Sequence, residues 1–492
     1  MDGEAVGAEV DGVRHGRTVR VRLPSPAMRA DDFRRHGHAL IDWVADYLEG
    51  LERFPVAPPV EPGWVRAQLP AHAPTEAEPF EAVLADVEQV IVPGLTHWQH
   101  PRFFAFFPGN SSYPSILGEL LAAGLGVQGM LWATSPACTE LEAHVADWML
   151  DWLDLPDRFR STGAGGGVIQ GSASDATLCA ILAARERVTE GVGNRSGVHG
   201  GLVAYATAHA HSSVEKGLRI AGIGSDNLRL VPHDATFAMR PEALAALVAE
   251  DRAAGKVPFF VCATAGTTST EAFDPVAALA DVCTRESLWL HVDAAMCGIA
   301  ALCPELRWVH DGVGAADSYC TNPHKWMGVN FDCDLLYVAD RSALIDALSI
   351  LPAYLQTAQA GRVIDYRDWQ VPLGRRFRAL KLWFAMRCEG PAPYQAMIRD
   401  HVGWAQQVAK WARADDRFEV VAPHPLNLVC VALRAGDDAT DQLAAAANAT
   451  GQALFTRSVV DGRSVVRFCI GGRTTQRRHV EEGWRLLSSL AG

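Results

Sequence analysis

The sequence has no run of about 20 uninterrupted apolar residues, which excludes a conventional membrane-spanning helix. It has no C-x-x-C pair either. Its 11 cysteines, from Cys138 to Cys469, are scattered, and their spacing suggests neither a zinc site nor a disulfide framework. Thiols spread in this way read as buried free cysteines of a reducing compartment. No concentrated basic stretch balances the formal charge of −13, so nucleic acid is not an expected partner. The opening Met1-Asp2-Gly3-Glu4 lacks the basic-then-apolar order of an export signal. Internal repeats are missing, and the only biased tracts are Ala-rich helical segments. These absences leave a globular, cytoplasmic protein whose 492 residues are too many for one small core.

What is there divides the chain into four. Residues 1–28 lack periodicity and read as a loose leader. In residues 29–112, Phe33, Leu40, Trp43, Val44, Tyr47, Leu48 and Leu51 share one helical face, and Pro55, Pro58, Pro59 and Pro62 then impose an extended connector. A second amphipathic helix is predicted over about 78–92, stopping at Pro93-Gly94. Neither helix has a core of its own, so both must pack on another domain or subunit. Residues 113–382 form a large domain in which short apolar runs alternate with helical segments. Strands are predicted at Leu202–Thr207, Phe259–Thr264, Leu288–Ala295 and Leu335–Ala339, and helices at about 174–190, 212–222, 241–253 and 275–286. This is the pattern of an α/β fold, a mostly parallel central sheet with helices on both faces and ligands at the carboxyl ends of its strands. Residues 383–492 read as a smaller α+β domain with strands near 427–431 and 464–470.

Four stretches carry chemistry. Gly165-Gly166-Gly167-Val168-Ile169-Gln170-Gly171-Ser172-Ala173-Ser174-Asp175 reads as a glycine-rich loop entering a helix, where free N–H groups and a positive dipole end suit a phosphate monoester. It is neither a Walker A loop nor a G-x-G-x-x-G fingerprint. His211, after a strand, can stack on a planar ring or be structural. Asp293 closes a strongly apolar strand and needs a partner, either a protonated pyridine nitrogen or a salt bridge. Lys325, in Asn322-Pro323-His324-Lys325-Trp326, sits in surroundings that favour a nucleophilic amine over a solvated ammonium. Anion clamp, ring face, pyridinium partner and Schiff-base lysine together are the requirements of pyridoxal 5′-phosphate. A further aromatic stretch, from His97-Trp98 to Phe107-Pro108, is either core or the wall of a pocket for a flat ligand.

With these stretches in order, the chain resembles the group II pyridoxal-phosphate decarboxylases, in the aromatic-L-amino-acid decarboxylase branch. The resemblance runs from Asp32 to about Leu487. It includes Val60-Glu61-Pro62-Gly63, Ser135-Pro136-Ala137-Cys138-Thr139-Glu140, Gly266-Thr267-Thr268 and Asp365-Tyr366-Arg367-Asp368-Trp369 beside the stretches above. It implies the aspartate aminotransferase-like architecture known as fold type I. It also implies a homodimer with the site at the interface and the N-terminal helices packed across it. By the same resemblance Lys325 carries the cofactor, Asp293 pairs with the ring nitrogen, His211 stacks on the ring and Ala295 packs on its other face. Ser172, Ala173, Ser174, Asn322 and His324 hold the phosphate, and Thr268 and Asp274 support the ring edge. Tyr354 is the tyrosine that protonates the substrate carbon; a phenylalanine replaces it in the aldehyde synthases of the family. The implied substrate pocket is Trp98, Phe106, Phe107, Gly109, Gln128, Met130 and Phe331. Gly109 stands where a threonine touches catechol hydroxyls, and Gln128 and Met130 replace an apolar pair. The expected reaction is loss of CO2 from an aromatic amino acid, with tryptophan or phenylalanine favoured over tyrosine or DOPA. The alternatives are an aldehyde synthase or a decarboxylase of a non-aromatic amino acid.

Overall fold

The computed structural model describes residues 9–14, 17–22, 28–350 and 362–492, in a chain of two compact units, residues 1–97 and 98–492. In the first unit β1 (Glu9–Arg14) and β2 (Arg17–Arg22) pair antiparallel, inside the stretch expected to be a loose leader. The predicted first helix spans Ala30–Glu49. Asp31 and Asp32 in its first turn offset the helix dipole and pair with Arg34 and Arg35 at 2.7 and 3.0 Å. The helix predicted over 78–92 is regular only at Phe80–Asp86. Val87–Ile91 widens into a π-type turn, and Pro93 closes the segment because its ring blocks further helix. Trp43 Nε1–H donates to Glu88 Oε1 at 2.8 Å, tying the two helical segments together. No residue of Ala30–Glu49 is buried, and Phe33, Leu40 and Ile41 remain exposed.

The strands of the second unit are β3 (Phe103–Phe104), β4 (Gly166–Gln170), β5 (Leu202–Ala206), β6 (Leu228–Leu230), β7 (Val257–Thr264), β8 (Trp289–Asp293), β9 (Ser318–Thr321), β10 (Asp334–Val338), β11 (Phe418–Val420), β12 (Leu428–Leu433), β13 (Leu454–Val460) and β14 (Arg463–Cys469). Seven of them form a sheet in the order β4-β10-β9-β8-β7-β5-β6. From β6 to β9 neighbours are parallel; β10 runs antiparallel to both β9 and β4. Successive side chains of these strands enter opposite cores. Val203, Tyr205, Val261 and Ala263 face the helices Pro136–Leu153 and Val276–Glu286, while Ala204, Ala206, Phe260 and Cys262 face Ala173–Thr189. That two-sided burial explains the unbroken apolar runs in the sequence.

One reading changes. Gly166–Gln170 is not part of a loop but the buried strand β4, leaving Gly171-Ser172 alone as the turn into the helix Ala173–Thr189. The glycines are there for packing: a Cβ at Gly166 would lie 2.8 Å from the Trp369 ring, and one at Gly167 would lie 2.7 Å from the Tyr337 ring. Elsewhere the local signals act as read. Ser135 Oγ accepts from Cys138 N at 3.3 Å, with Pro136 at the first helical position, and Pro136–Leu153 follows.

The C-terminal sheet runs β11-β12-β14-β13-β3. Phe103 and Phe104, in the stretch with two open readings, are core: they lie along β13 as a short parallel strand, fully buried. Val429, Val431, Val466 and Phe468 face the helices Ala392–Ala414, Asp437–Ala449 and Arg477–Leu490, whereas Leu428, Cys430 and Ala432 join the core of the central sheet.

His310 lies in the turns between β8 and β9, with Nε2 2.8 Å from Tyr319 OH and Nδ1 3.2 Å from the Leu153 carbonyl. Burial lowers its pKa to about 4. An unfolded chain takes up this proton near the ordinary value of about 6.5. Its contribution to stability is therefore complete above that pH and is lost as pH falls towards 4, by about 1.4 kcal/mol per unit. Between pH 6.5 and 5, His310→Gln is expected to lose about 2 kcal/mol less stability than the parent in urea titrations. Equal losses in both proteins would remove His310 as the acid-sensitive group.

Candidate active site

A cavity of about 120 Å³ opens at the carboxyl edge of the central sheet, lined by Ser172, Ala173, Ser174, His211, Thr264, Gly266, Thr268, Asp293, Ala295, Met296, Asn322 and Lys325. Five strand ends supply it. The turn after β4 brings Ser172–Ser174, and the loop after β5 brings His211. Beyond β7 come Gly266 and Thr268, β8 ends at Asp293, and β9 leads into the short helix Pro323–Trp326 that carries Lys325. Gly266 has φ +91°, and a Cβ there would lie 2.3 Å from Cys297 Sγ, so the tight turn beside the cavity requires glycine.

Each group is held by identifiable contacts. Ser172 Oγ accepts from Asp175 N at 3.3 Å and caps the helix, whose first N–H groups have no intrahelical acceptor. His211 Nδ1 lies 2.9 Å from Ser213 Oγ and accepts from Ser213 N at 3.2 Å, which leaves Nε2 as the outer nitrogen. Asp293 is buried in register with Thr264 and Cys320, and its Oδ1 accepts from Ala295 N at 3.0 Å. The Lys325 carbonyl accepts from Asn110 Nδ2 at 3.0 Å, and the same amide group reaches the Gly471 carbonyl at 2.7 Å. Next to the lysine, Trp326 Nε1–H donates to His401 Nδ1 at 3.0 Å.

Two residues expected at the cofactor, Asp274 and His324, are not among those lining the cavity. Asp274 accepts from Met239 N at 2.6 Å and Thr264 N at 2.7 Å; burial raises its pKa to about 6 against these bonds. It fixes the end of β7. His324 Nδ1 accepts from Cys333 N at 2.9 Å, and burial, helped by the Lys325 charge, lowers its pKa to about 3. The motif reading passes over Asp334, the first residue of β10. It is fully buried, both carboxylate oxygens lack a hydrogen-bond partner, and burial reinforced by Asp293 pushes its pKa well up while Lys325 opposes the shift. A lone acid heading an apolar strand is the signal that would have found it.

None of the described residues expected in the substrate pocket lines the cavity of Lys325. Phe107 is buried with its ring 5.9 Å from Trp326, but Trp98 and Phe106 stack on each other at 5.4 Å with about half their surface exposed. Gly109 faces Trp98, Gln128 lies in an exposed groove beside Glu119 and Arg376, and the Met130 carbonyl accepts from Arg367 N. Phe331 is 71% exposed. Tyr354 lies outside the described residues.

The donor set around the cavity fits one cofactor well. Asn322 Oδ1 and Thr264 Oγ1 are buried without a hydrogen-bond partner, so polar valences remain for a ligand. A helix N-terminus for an anion, an imidazole, a buried carboxylate and a lysine amine match the phosphate, ring, ring nitrogen and aldehyde of pyridoxal phosphate.

Comparison with known proteins agrees. Residues 62–434 match the pyridoxal-dependent decarboxylase conserved domain. The chain is 45% identical to the aromatic-L-amino-acid decarboxylase of Bos taurus, over 94% of this chain and 97% of that one. It is 43% identical to the phenylacetaldehyde synthase of Arabidopsis thaliana, over 94% and 96%. A crystal structure of Oryza sativa TDC with PLP and tryptamine superposes with a TM-score of 0.91 at 40% identity, covering 95% of this chain and 99% of that one. Fold, cavity and similarity converge: the chain belongs to the pyridoxal-dependent decarboxylase family, in its aromatic-amino-acid decarboxylase branch.

Proposed function

We propose that this enzyme converts tryptophan or phenylalanine, ahead of tyrosine or DOPA, to the arylalkylamine and CO2. The observation that carries the reading is the single cavity shared by Ser172–Ser174, His211, Asp293 and Lys325. Pyridoxal phosphate, when bound, supplies the electron sink for the pair left by the departing carboxylate. The residues do the rest. The N-terminus of Ala173–Thr189, with Ser172, Ser174 and Asn322, binds the phosphate. Asp293, a buried carboxylate at the end of β8, would hold a proton on the ring nitrogen. His211 and Ala295 would pack against the ring, Thr268 would support it, and the Lys325 amine would be the group that carries the cofactor.

Tyr354 donates the proton to the substrate Cα. Tyr354→Phe is expected to lower amine formation by roughly 10²–10⁴-fold and to divert product, with oxygen, to aldehyde, ammonia and peroxide. Unchanged amine yield would sink that role.

The preference for tryptophan or phenylalanine rests on Gly109, which brings no hydroxyl towards a catechol, and on the flat aromatic surfaces of Trp98, Phe106, Phe107 and Phe331. The enzyme works as a homodimer. Support for this is the unpartnered apolar surface: Leu117, Leu120, Leu121 and Leu125 on the helix Tyr113–Leu125, together with Trp98, Phe106 and Phe331. Among the described residues no helix is long and apolar enough to cross a membrane, and all cysteines but Cys388 are buried and free, which suits the reducing cytoplasm. The deciding experiment incubates holoenzyme with Trp, 5-hydroxy-Trp, Phe, Tyr, DOPA, His and Glu and identifies products by mass. Tryptamine or phenylethylamine is the expected major product; amines from none of the seven overturn the proposal.

A further inference from the structure

Away from the cofactor cavity, three loops of the second unit bring metal-ligating side chains together. His209 lies in the loop between β5 and the helix Ser213–Ile220, His233 follows β6, and Asp461 sits at the turn between β13 and β14. His209 Nε2 and His233 Nε2 are each 3.3 Å from Asp461 Oδ1, and the three donor atoms lie within 4.8 Å of one another. The His209 side chain is 7% exposed, and its Nε2 is buried without a hydrogen bond. Phe237 packs on both imidazoles, with ring centroids 5.1 Å from His209 and 5.5 Å from His233.

The tautomer of His233 follows from its neighbour. His233 Nδ1 is 2.9 Å from the Asp234 carbonyl, which can only accept, so Nδ1 carries the hydrogen. In the neutral ring Nε2 is then a bare lone pair directed at Asp461 Oδ1. A backbone carbonyl behind the distal nitrogen is the arrangement that orients histidine ligands in metal sites. The Asp461 carboxylate thus faces a bare lone pair on His233 Nε2, a repulsion that a cation between them removes. A proton on one ring satisfies one pair and leaves the other unmade.

We propose that His209, His233 and Asp461 form a divalent transition-metal site of the zinc class, with solvent in the fourth position. Zinc–nitrogen and zinc–oxygen distances of about 2.0–2.1 Å in a tetrahedron place neighbouring ligand atoms about 3.3 Å apart. Two of the three edges already have that length. The third closes by rotation of the two more exposed side chains, His233 at 23% and Asp461 at 52%. Two imidazoles and one carboxylate select zinc-like ions over magnesium or calcium, which take oxygen ligands. The site pins the turn of the C-terminal sheet to the loop that carries His211, two residues beyond His209. It is a structural latch beside the cofactor, and none of its ligands touches the cofactor cavity.

The test uses chelator-treated holoenzyme titrated with Co2+ alone, followed by its visible d–d spectrum and then by displacement with Zn2+. The parent is expected to take up one equivalent with the intense bands of four-coordinate cobalt. Asp461→Asn and His233→Gln are expected to weaken binding at least about tenfold while keeping cofactor absorbance and amine formation. Asp461 is at an exposed turn, so its replacement leaves folding intact. No stoichiometric uptake by the parent overturns the site. So does a parent-like titration in both variants, because the cobalt would then sit on other histidines.

Discussion

Lys325→Ala is expected to fold as the parent does, to lose the absorbance of lysine-bound pyridoxal phosphate, and to lose decarboxylation by at least roughly 10³-fold. Folding is spared because the backbone of the Pro323–Trp326 turn is held by its neighbours. Asn110 holds the Lys325 carbonyl, and the indole of Trp326 is anchored on His401. The side-chain amine has no structural bond to lose: among the described residues it makes no hydrogen bond or ion pair, and it lines the cavity shared with Asp293. Absorbance spectra of the reconstituted protein and product formation from tryptophan or phenylalanine check the two halves separately. A variant that keeps activity within tenfold of the parent would falsify the assignment of Lys325 as the attachment point.

The second large effect is on stability. Arg375 and Glu142 form a fully buried ion pair, with Arg375 Nη2 2.6 Å from Glu142 Oε1 and Nη1 3.1 Å from Oε2. The guanidinium also donates to the Ile169 carbonyl at 3.0 Å and to Gln370 Oε1 at 2.9 Å, and it covers the Tyr366 ring at 4.7 Å. Glu142 Oε1 in turn accepts from Ile169 N at 2.8 Å. Arg375→Ala leaves a carboxylate buried without its cation, which costs about 3–5 kcal/mol. Replacing both charges, Glu142→Gln with Arg375→Met, is expected to cost less than the single change, since neither residue is then left as an orphan charge. Urea unfolding of the three proteins measures this; a loss below about 1 kcal/mol for Arg375→Ala would remove the pair from the stability account. Because the pair grips both backbone groups of Ile169 in β4, cofactor affinity should fall together with stability.

Much of this was legible one segment at a time. Short unbroken apolar runs mark the strands β5, β7, β8 and β10, and a helical segment between them marks Pro241–Ala253, since burial on both faces of the sheet writes itself into the order of apolar residues. Lys325, Asp293, His211 and Ser172–Ser174 were readable because each sits in a short local pattern at a strand end. β4 was hidden by its glycines, whose missing side chains make room for Trp369 and Tyr337, and a packing vacancy has no periodicity. Asp334 carried a local signal as a lone acid heading an apolar strand, but the charges it faces, Asp293 and Lys325, come from other strand ends and are not written beside it.

The sequence by itself determined the family and its pyridoxal-phosphate cofactor, and it singled out Lys325, Ser172–Ser174 and Asp293 as the candidates to hold that cofactor. Tertiary structure alone decided that the strand leading to Ser172 lies beside β10, placing Asp334 within reach of the charges of Asp293 and Lys325. It also decided that Phe103 and Phe104 are core while Trp98, Phe106 and Phe331 stay exposed, and that His209, His233 and Asp461 meet. The reason is physical. Local patterns record what a residue is buried against on average, whereas proximity between distant residues is set by the order in which strands pair and by loop ends meeting. At Lys325 both are needed: the motif names the amine, and five converging strand ends give it a cavity to work in.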